Sequence, residues 1–555
     1  MEAQDALVDW RRDSLLYVAG ADCFWAVISL CILLFSSSWF KIEPTVADSV
    51  KQCDEGDNIS MKNRTFRKFC ALLLASLTVF TVSCGIPLPG SEGSSEKGDD
   101  ARESVAEGKS FAEAHDAFQT TLVREETDDS AIPEPPEGVF DLVEYSSKVG
   151  NLAAYVSSDP GDGQKHPLII WVVGGWGNGI DDFPWTYPEW DNDQTGSAFW
   201  RSGVLTMYPS FRGGNGNPGK FEALFGEVDD IVSAYEYAAS LPYVDPNRIY
   251  LGGHSTGGTR ALLAAEYTDK FRAVFCFGAV DDIKYHNNSQ FTFDTGKEEE
   301  YIMRSPIHWL EDIKTPTFLI EGRDGNGSNL ERMRDATDNE NLHCYVLEGA
   351  DHFAPLAPVT PLLAEKILAD TGAESNISIT QEELESAMAG EPEIPLPVMT
   401  EYEEEALGMT FSCPYLWVME DISEDGSFSI SFYSPYEGEN VWDMSNMYLD
   451  IYGAYEGDFL QELSDSLAER GFEIQRSEIN GYPMMDAIGM WEEPGEETFR
   501  NRIVMIQVAD EYVGFTFYIH EDFGTDADEL FQSIVDTIEF GGDSQPEGEE
   551  TEEAE

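Results

Sequence analysis

Six short apolar runs recur between residues 138 and 372, with helix-patterned stretches among them, and this alternation constrains the fold more than anything else in the chain. The runs are LIIWVV at 168–173, VLTMYP at 204–209, RIYLGG at 248–253, AVFCFG at 273–278, TFLIEG at 317–322 and CYVLEG at 344–349. They are too short for helices and, apolar at successive positions, have no side to turn to water, so each reads as a strand buried on both faces. Residues 226–240 and 257–268 carry the helical pattern. Strands that alternate with helices build a mostly parallel sheet covered on both sides. The expected class is α/β.

One of these strands runs into a reactive motif. Residues 248–268 read RIYLGGHSTGGTRALLAAEYT, in which Gly253-His254-Ser255-Thr256-Gly257 fits G-x-S-x-G. The bare pattern is weak in a Gly-rich chain. An apolar strand leading in and an Ala/Leu-rich helix leading out make it a nucleophile elbow, a tight turn that leaves the serine strained and exposed above the sheet. A serine nucleophile needs a base, and the base needs an orienting carboxylate. In this architecture the chain order is serine, acid, histidine.

Of the histidines that follow Ser255 within this unit, His308, His343 and His352 are the usefully placed ones. His352 lies in GADHFAPLAP, the loop after the last expected strand. It is the expected base, while His254, adjacent to the serine, cannot aim at the same proton and is expected to be structural. For the acid, TFLIEGRDGNGSN offers Asp324 in the loop and Glu321 at the strand end. The loop position favours Asp324, with Glu321 as the alternative. An oxyanion hole needs backbone N–H groups aimed at the developing charge. Thr256 should supply one, and the glycine turn in LIIWVVGGWGNG the other, from Gly175 or Trp176. That turn has no GK[ST] continuation, which argues against a phosphate cradle. No CxxC or His/Cys cluster suggests a metal site, and neither metal nor cofactor is expected.

The stretches SGVLTMYPSFRGGNGNPGKF and GEVDDIVSAYEYAASLPYVDPNRIYLGGHSTGG resemble the catalytic domain of prolyl-oligopeptidase-like α/β-hydrolases. There an RG-rich loop follows a strand, and an acidic helix, a YVDPxRI-like turn and the GxSxGG elbow come next. The resemblance spans about 140–370. It implies an α/β-hydrolase fold and a serine hydrolase acting on ester or peptide bonds through Ser255, His352 and Asp324. The family's long N-terminal β-propeller has no counterpart here, which leaves both peptidase and esterase chemistry open. The alternative is a hydrolase-fold lipoprotein that binds without catalysis. Between the glycine turn and the next strand, Phe183, Trp185, Tyr187, Trp190 and Trp200 crowd together with Asp181, Asp182, Glu189, Asp191 and Asp193. They are expected either to wall the substrate pocket or to pack a long excursion against the sheet.

The flanks carry other signals. Residues 61–84, MKNRTFRKFCALLLASLTVFTVSC, have a basic start, a short apolar run and a small residue before Cys84. This is the layout of an export signal and resembles a bacterial lipobox, which implies a lipid on Cys84 as the membrane anchor. Residues 1–60 hold a second apolar stretch, 23–40. The expectation is a natural start at Met61 with a mis-assigned extension before it; a two-helix membrane hairpin is the alternative. Residues 85–137 read as tether and leader, 138–372 as the hydrolase unit and 373–398 as a linker. Residues 399–541 read as a smaller α+β domain and 542–555 as an acidic tail. In the α+β domain, strands are expected at 426–433, 501–508 and 511–519, and helices near 456–470 and 525–538. This part resembles PsbP/Mog1-like modules and should bind or space without chemistry of its own.

Charge excludes some partners. The 555 residues carry 105 acidic and 33 basic side chains, for a net charge of −72. Such a surface cannot replace the counterions of nucleic acid, nor dock on anionic lipid. Residues 1–83 hold only 10 of the acids. The acidity therefore belongs to the part beyond the signal, where it suits a strongly screened exterior. From Cys84 onward the other cysteines are Cys276, Cys344 and Cys413; Cys276 and Cys344, in apolar strand-like runs, are expected as buried free thiols.

Overall fold

A computed structural model of the chain describes residues 108–186, 192–286, 289–390, 397–404, 407–423, 427–434, 445–491, 499–520 and 526–541. The signal stretch with Cys84, residues 1–60 and the acidic tail lie outside the described residues, as do Tyr187, Glu189, Trp190 and Asp191. Among the described residues no helix is long and apolar enough to cross a membrane.

Eight strands form the first sheet: β1 (Phe140–Ser147), β2 (Gly150–Ser157), β3 (His166–Val172), β4 (Leu205–Pro209), β5 (Val244–His254), β6 (Val274–Phe277), β7 (Thr317–Gly322) and β8 (Leu342–Leu347). Their order is β1-β2-β4-β3-β5-β6-β7-β8. The β1/β2 and β2/β4 pairings are antiparallel. From β4 through β8 every pairing is parallel. The six sequence-read strands are all present; the β1/β2 hairpin is an addition.

Alternation along each strand divides the core in two. Leu168, Ile170, Val172 and Leu251 face one layer, where helices Glu227–Ser240, Thr256–Tyr267 and Gly327–Ala336 pack. Ile169, Trp171, Tyr250 and Ile320 face the other, covered by helices Leu356–Ala369 and Gln381–Met388. Burial on both faces is why these strands read as unbroken apolar runs. The helix Gln381–Met388 lies inside the stretch read as a linker. Thr380 starts it with a capping box to Glu383, and Leu384 is buried in the second layer. A leader helix, Phe111–Ala117, begins with its own capping box at Ser110 and buries Phe111 and Ala114 in the first layer.

In the C-terminal part, β9 (Met399–Glu404) and β10 (Met409–Pro414) pair antiparallel, and a separate antiparallel sheet is built from β11 (Val418–Asp421), β12 (Phe428–Tyr433), β13 (Asn446–Tyr452), β14 (Glu473–Ile479), β15 (Tyr482–Trp491), β16 (Phe499–Val508) and β17 (Glu511–His520). Their order is β11-β12-β13-β17-β16-β15-β14. Helices Phe459–Glu469 and Asp526–Asp536 accompany it. Strands β12, β16 and β17 and both helices fall where the sequence places them. The result is an α/β unit of hydrolase architecture and a smaller α+β domain. Cys276, Cys344 and Cys413 are unpaired thiols.

Candidate active site

The parallel strands deliver their C-terminal ends to one edge of the sheet. Strand β5 ends at His254, and Ser255 follows as the N-cap of helix Thr256–Tyr267. Ser255 adopts φ 57° and ψ −119°, and its side chain makes no capping hydrogen bond. A non-glycine residue at such a φ costs on the order of 1–3 kcal/mol and persists only where its surroundings impose it. The surroundings here are close backbones. A Cβ on Gly257 would lie 2.0 Å from Val172 O, and one on Gly253 would lie 2.7 Å from Gly257 O. The motif's glycines are thus required by close approach as well as by the turn. Ser255 N–H donates to Phe277 O at 2.8 Å, which ties the turn to the neighbouring strand.

His352, in the loop after β8, places Nδ1 3.1 Å from Oε2 of Glu321, at the end of β7. The carboxylate accepts, so Nδ1 carries the hydrogen and Nε2 keeps the lone pair. Glu321 is 1% exposed. Burial pushes its carboxyl up, and the contact with His352 pulls it part of the way back. Both groups fit against backbone without side chains. A Cβ on Gly278 would lie 2.4 Å from His352 Cε1 and 2.7 Å from Glu321 Oε2, and one on Gly325 would lie 2.1 Å from Glu321 Oε1.

The geometry corrects the sequence preference for Asp324. Its backbone N–H donates to Ala350 O at 3.0 Å, and the residue is exposed. The carboxylate that meets His352 is that of Glu321, the alternative acid. The loop after β7 bends back on the loop that carries His352, so the strand-end position, three residues earlier, is the one left facing the imidazole. His343, on β8, stacks instead on Phe318.

His254 lies beneath His352, with ring centroids 4.6 Å apart. Its Nε2 is 3.2 Å from the carbonyl oxygen of His352, so Nε2–H donates and braces the histidine loop. Burial, reinforced by the nearby His352, holds His254 down to about 3. It is a neutral brace, the structural role expected of it.

The glycine turn follows β3. Gly175 has φ 87°, and its carbonyl accepts the Thr256 hydroxyl, which joins the turn to the elbow. Trp176 packs edge-on against Phe291, 5.6 Å between centroids. Among the described residues, the N–H groups of Gly175 and Trp176 find no backbone acceptor.

Sequence reasoning missed what holds this turn. Asn178, 5% exposed, donates from Nδ2 to Arg212 O at 2.8 Å and to Glu227 Oε1 at 2.9 Å. Its Oδ1 accepts from Arg260 at 3.0 Å, and its carbonyl accepts from Phe211 N–H at 2.8 Å. Arg260 belongs to the elbow helix, and Arg212 to the RG loop, where it grips Asp230 with Nε and Nη2 at 2.9 and 3.0 Å. One asparagine therefore couples the glycine turn, the elbow helix and the RG loop. The RG pattern was the only signal in the sequence that pointed here.

In the aromatic excursion, Trp185 is buried on Tyr155 and Phe140, and Trp200 packs on Phe140. Asp193 accepts from the N–H groups of Ser197 and Ala198 and so caps a short helix. These three serve packing; Phe183 is exposed.

The strand order, the serine elbow after β5 and the histidine–carboxylate pair at the ends of β7 and β8 define an α/β-hydrolase unit. Residues 191–326 match the model of the prolyl oligopeptidase family. That stretch includes Ser255 and Glu321 and ends ahead of His352. An uncharacterized peptidase of Bacillus subtilis (strain 168), YtmA, is 25% identical over 162 residues, 27% of this chain and 59% of that protein. The chain thus spans less than two thirds of that relative's length. Among solved structures, a puromycin-hydrolyzing peptidase of Mycobacterium tuberculosis aligns at 19% identity and TM-score 0.33, covering 42% of this chain and 40% of its own. An acylaminoacyl peptidase of Pyrococcus horikoshii aligns at 16% identity and TM-score 0.35, covering 44% of each chain.

Proposed function

We propose that the chain is a surface-anchored serine hydrolase that cleaves ester or peptide bonds through an acyl-enzyme. The observation that carries this reading is a serine held at φ 57° at the end of β5, at the sheet edge that also carries an imidazole bonded to a buried carboxylate at 3.1 Å. Ser255 Oγ attacks the carbonyl carbon and passes its proton to His352 Nε2. Glu321 holds the Nδ1–H tautomer and stabilises the imidazolium that forms. The N–H of Thr256, with that of Gly175 or Trp176, receives the oxyanion. His352 then protonates the leaving group, and water, activated by the same imidazole, releases the acyl group and restores Ser255. No metal or cofactor enters these steps.

Short p-nitrophenyl esters and chromogenic peptides with proline or small apolar residues before the scissile bond are the substrates to test. A burst of p-nitrophenol equal to the enzyme concentration, absent in Ser255→Ala, is the expected result. A burst retained in Ser255→Ala refutes the assignment. Anchoring is the second part of the reading, and it rests on the basic, apolar and small-residue layout of residues 61–84. Palmitate incorporation into the expressed chain should vanish in Cys84→Ser; incorporation that persists removes Cys84 as the anchor. The C-terminal α+β domain acts as a binding or spacing module in this reading.

A further inference from the structure

A second constellation lies where the leader helix meets helix Glu227–Ser240. His115 is 3% exposed. Its Nε2 is 3.1 Å from Phe225 O. A carbonyl only accepts, so Nε2 carries the hydrogen and Nδ1 the lone pair. Nδ1 is buried and has no hydrogen-bond partner. It faces Oδ1 of Asp229 at 4.0 Å. Asp116, the next residue, adds a second carboxylate, and the three donor atoms lie within 4.8 Å of one another. The imidazole cannot swing away: it stacks on Phe225 at 4.2 Å and meets the edges of Phe111 and Tyr267.

A buried acceptor without a partner is unfavourable, and an imidazole lone pair beside two carboxylates is a donor set for a cation. The cation now bridging the two carboxylates is Lys148, with Nζ 2.8 Å from Asp229 Oδ1 and 3.6 Å from Asp116 Oδ1; Arg212 Nη2 stands 3.8 Å from the other Asp229 oxygen. Lys148 neutralises the carboxylates and leaves His115 Nδ1 unserved. The Nε2 hydrogen bond to Phe225 O fixes the tautomer that leaves the Nδ1 lone pair open to a metal ion.

We propose that His115 Nδ1, Asp116 and Asp229 form a binding site for a divalent first-row transition ion such as zinc, with Lys148 as a tethered cation that the metal displaces. Two ligands on a tetrahedral ion with bonds of about 2.1 Å stand about 3.4 Å apart, so the 4.0 Å between His115 Nδ1 and Asp229 Oδ1 has to close by roughly 0.6 Å, the scale of a small turn of the Asp229 side chain. Asp116 has an exposed side chain and needs only to rotate. Its Oδ1 already accepts from Tyr267 at 2.9 Å, and His115 already donates its other ring N–H to a carbonyl. Such outer bonds orient metal ligands. One imidazole with two carboxylates suits zinc, manganese or iron better than calcium or magnesium, which prefer oxygen alone. Because His115 and Asp116 belong to the leader helix and Asp229 to the hydrolase unit, the ion would fasten the one to the other.

Zinc chloride titrated calorimetrically onto the full chain, in a non-coordinating buffer at high salt, tests the proposal. Wild type should show one saturable site and a raised thermal midpoint, since a ligand that binds only the folded state stabilises it. Asp116→Asn, at an exposed position that folding does not need, should bind about tenfold more weakly or worse. Lys148→Met, which removes the competing ammonium, should bind more tightly. His115→Gln should abolish the site where circular dichroism shows the variant folded. Absence of a saturable site in wild type, or equal affinity in wild type, Asp116→Asn and Lys148→Met, would overturn the proposal.

Discussion

Exchanging Glu321 for glutamine isolates the charge behind the imidazole. The variant keeps the side chain's size and an acceptor for His352 Nδ1–H, and loses only the anion. As Ser255 gives up its proton, His352 becomes an imidazolium 3.1 Å from the carboxylate oxygen. At an effective dielectric of about 20 this pair is worth roughly 5 kcal/mol. Glu321 is 1% exposed, so water does little to screen it; relaxation of the loop takes back part of that sum. The expected loss is therefore three to four powers of ten in kcat, each power being about 1.4 kcal/mol, comparable to the ~10⁴ seen when such a carboxylate is replaced by its amide. KM should stay within about twofold, because the missing interaction forms only in the transition state. Asp324→Asn, at the exposed neighbouring carboxylate, should stay within about twofold in both constants. Steady-state ester hydrolysis by the two variants, normalised by circular dichroism, decides. If Asp324→Asn is the inactive variant and Glu321→Gln keeps a tenth or more of wild-type kcat, the assignment of the acid is wrong.

Three further outcomes follow from the same packing. Gly278→Ala would set a methyl 2.4 Å from His352 Cε1 at a φ of 63°; kcat should fall about 100-fold with KM little changed, and unchanged kcat would show that the fit is slack. Asn178→Ala takes from Arg260 its shortest hydrogen bond and leaves Glu227 Oε1 with the Glu222 N–H alone; urea unfolding should show a loss of about 2 kcal/mol together with a fall in kcat, and a fully stable variant would remove Asn178 as the hub. His254 is held near 3 when folded against an ordinary value of about 6.5 unfolded. Its neutral form thus stabilises the fold fully above pH 6.5, and that contribution drains away as pH falls toward 3, by up to ~1.4 kcal/mol per pH unit. Wild-type urea midpoints should therefore drop more steeply between pH 6.5 and 4 than those of His254→Asn, and parallel slopes would contradict this.

Strands buried on both faces announce themselves in sequence, which is why β3 through β7 were legible to within a few residues; β8, a half-buried edge, was legible from its apolar run CYVLEG. Strand β1 was not. As the sheet's edge it exposes Asp141, Leu142 and Glu144, and DLVEYSS carries no strong apolar alternation. Helix Gln381–Met388 was hidden by its acids and by the Pro-containing stretch after it; Leu384, with Met388 beside it, commits it to the core. At the site, the serine turn and the histidine loop after β8 were legible because motif and chain order are read along the chain. Which carboxylate meets His352 was not, because Glu321 and Asp324 differ in how one loop folds back on another. Asn178 and Arg260 are far apart in sequence from most of what they bind, and no linear spacing marks them. His115 and Asp229 are separated in the same way, so the absence of a spaced ligand motif told nothing about the cluster they form.

If Ser255 is the nucleophile of a working hydrolase, a fluorophosphonate will mark it. The reagent should add once per chain, with peptide mass mapping placing the adduct on Ser255. Ser255→Ala should take up none, and Glu321→Gln should react far more slowly than wild type. A folded wild-type chain that stays unmodified, or an adduct on another residue that persists in Ser255→Ala, would show that Ser255 is not the nucleophile.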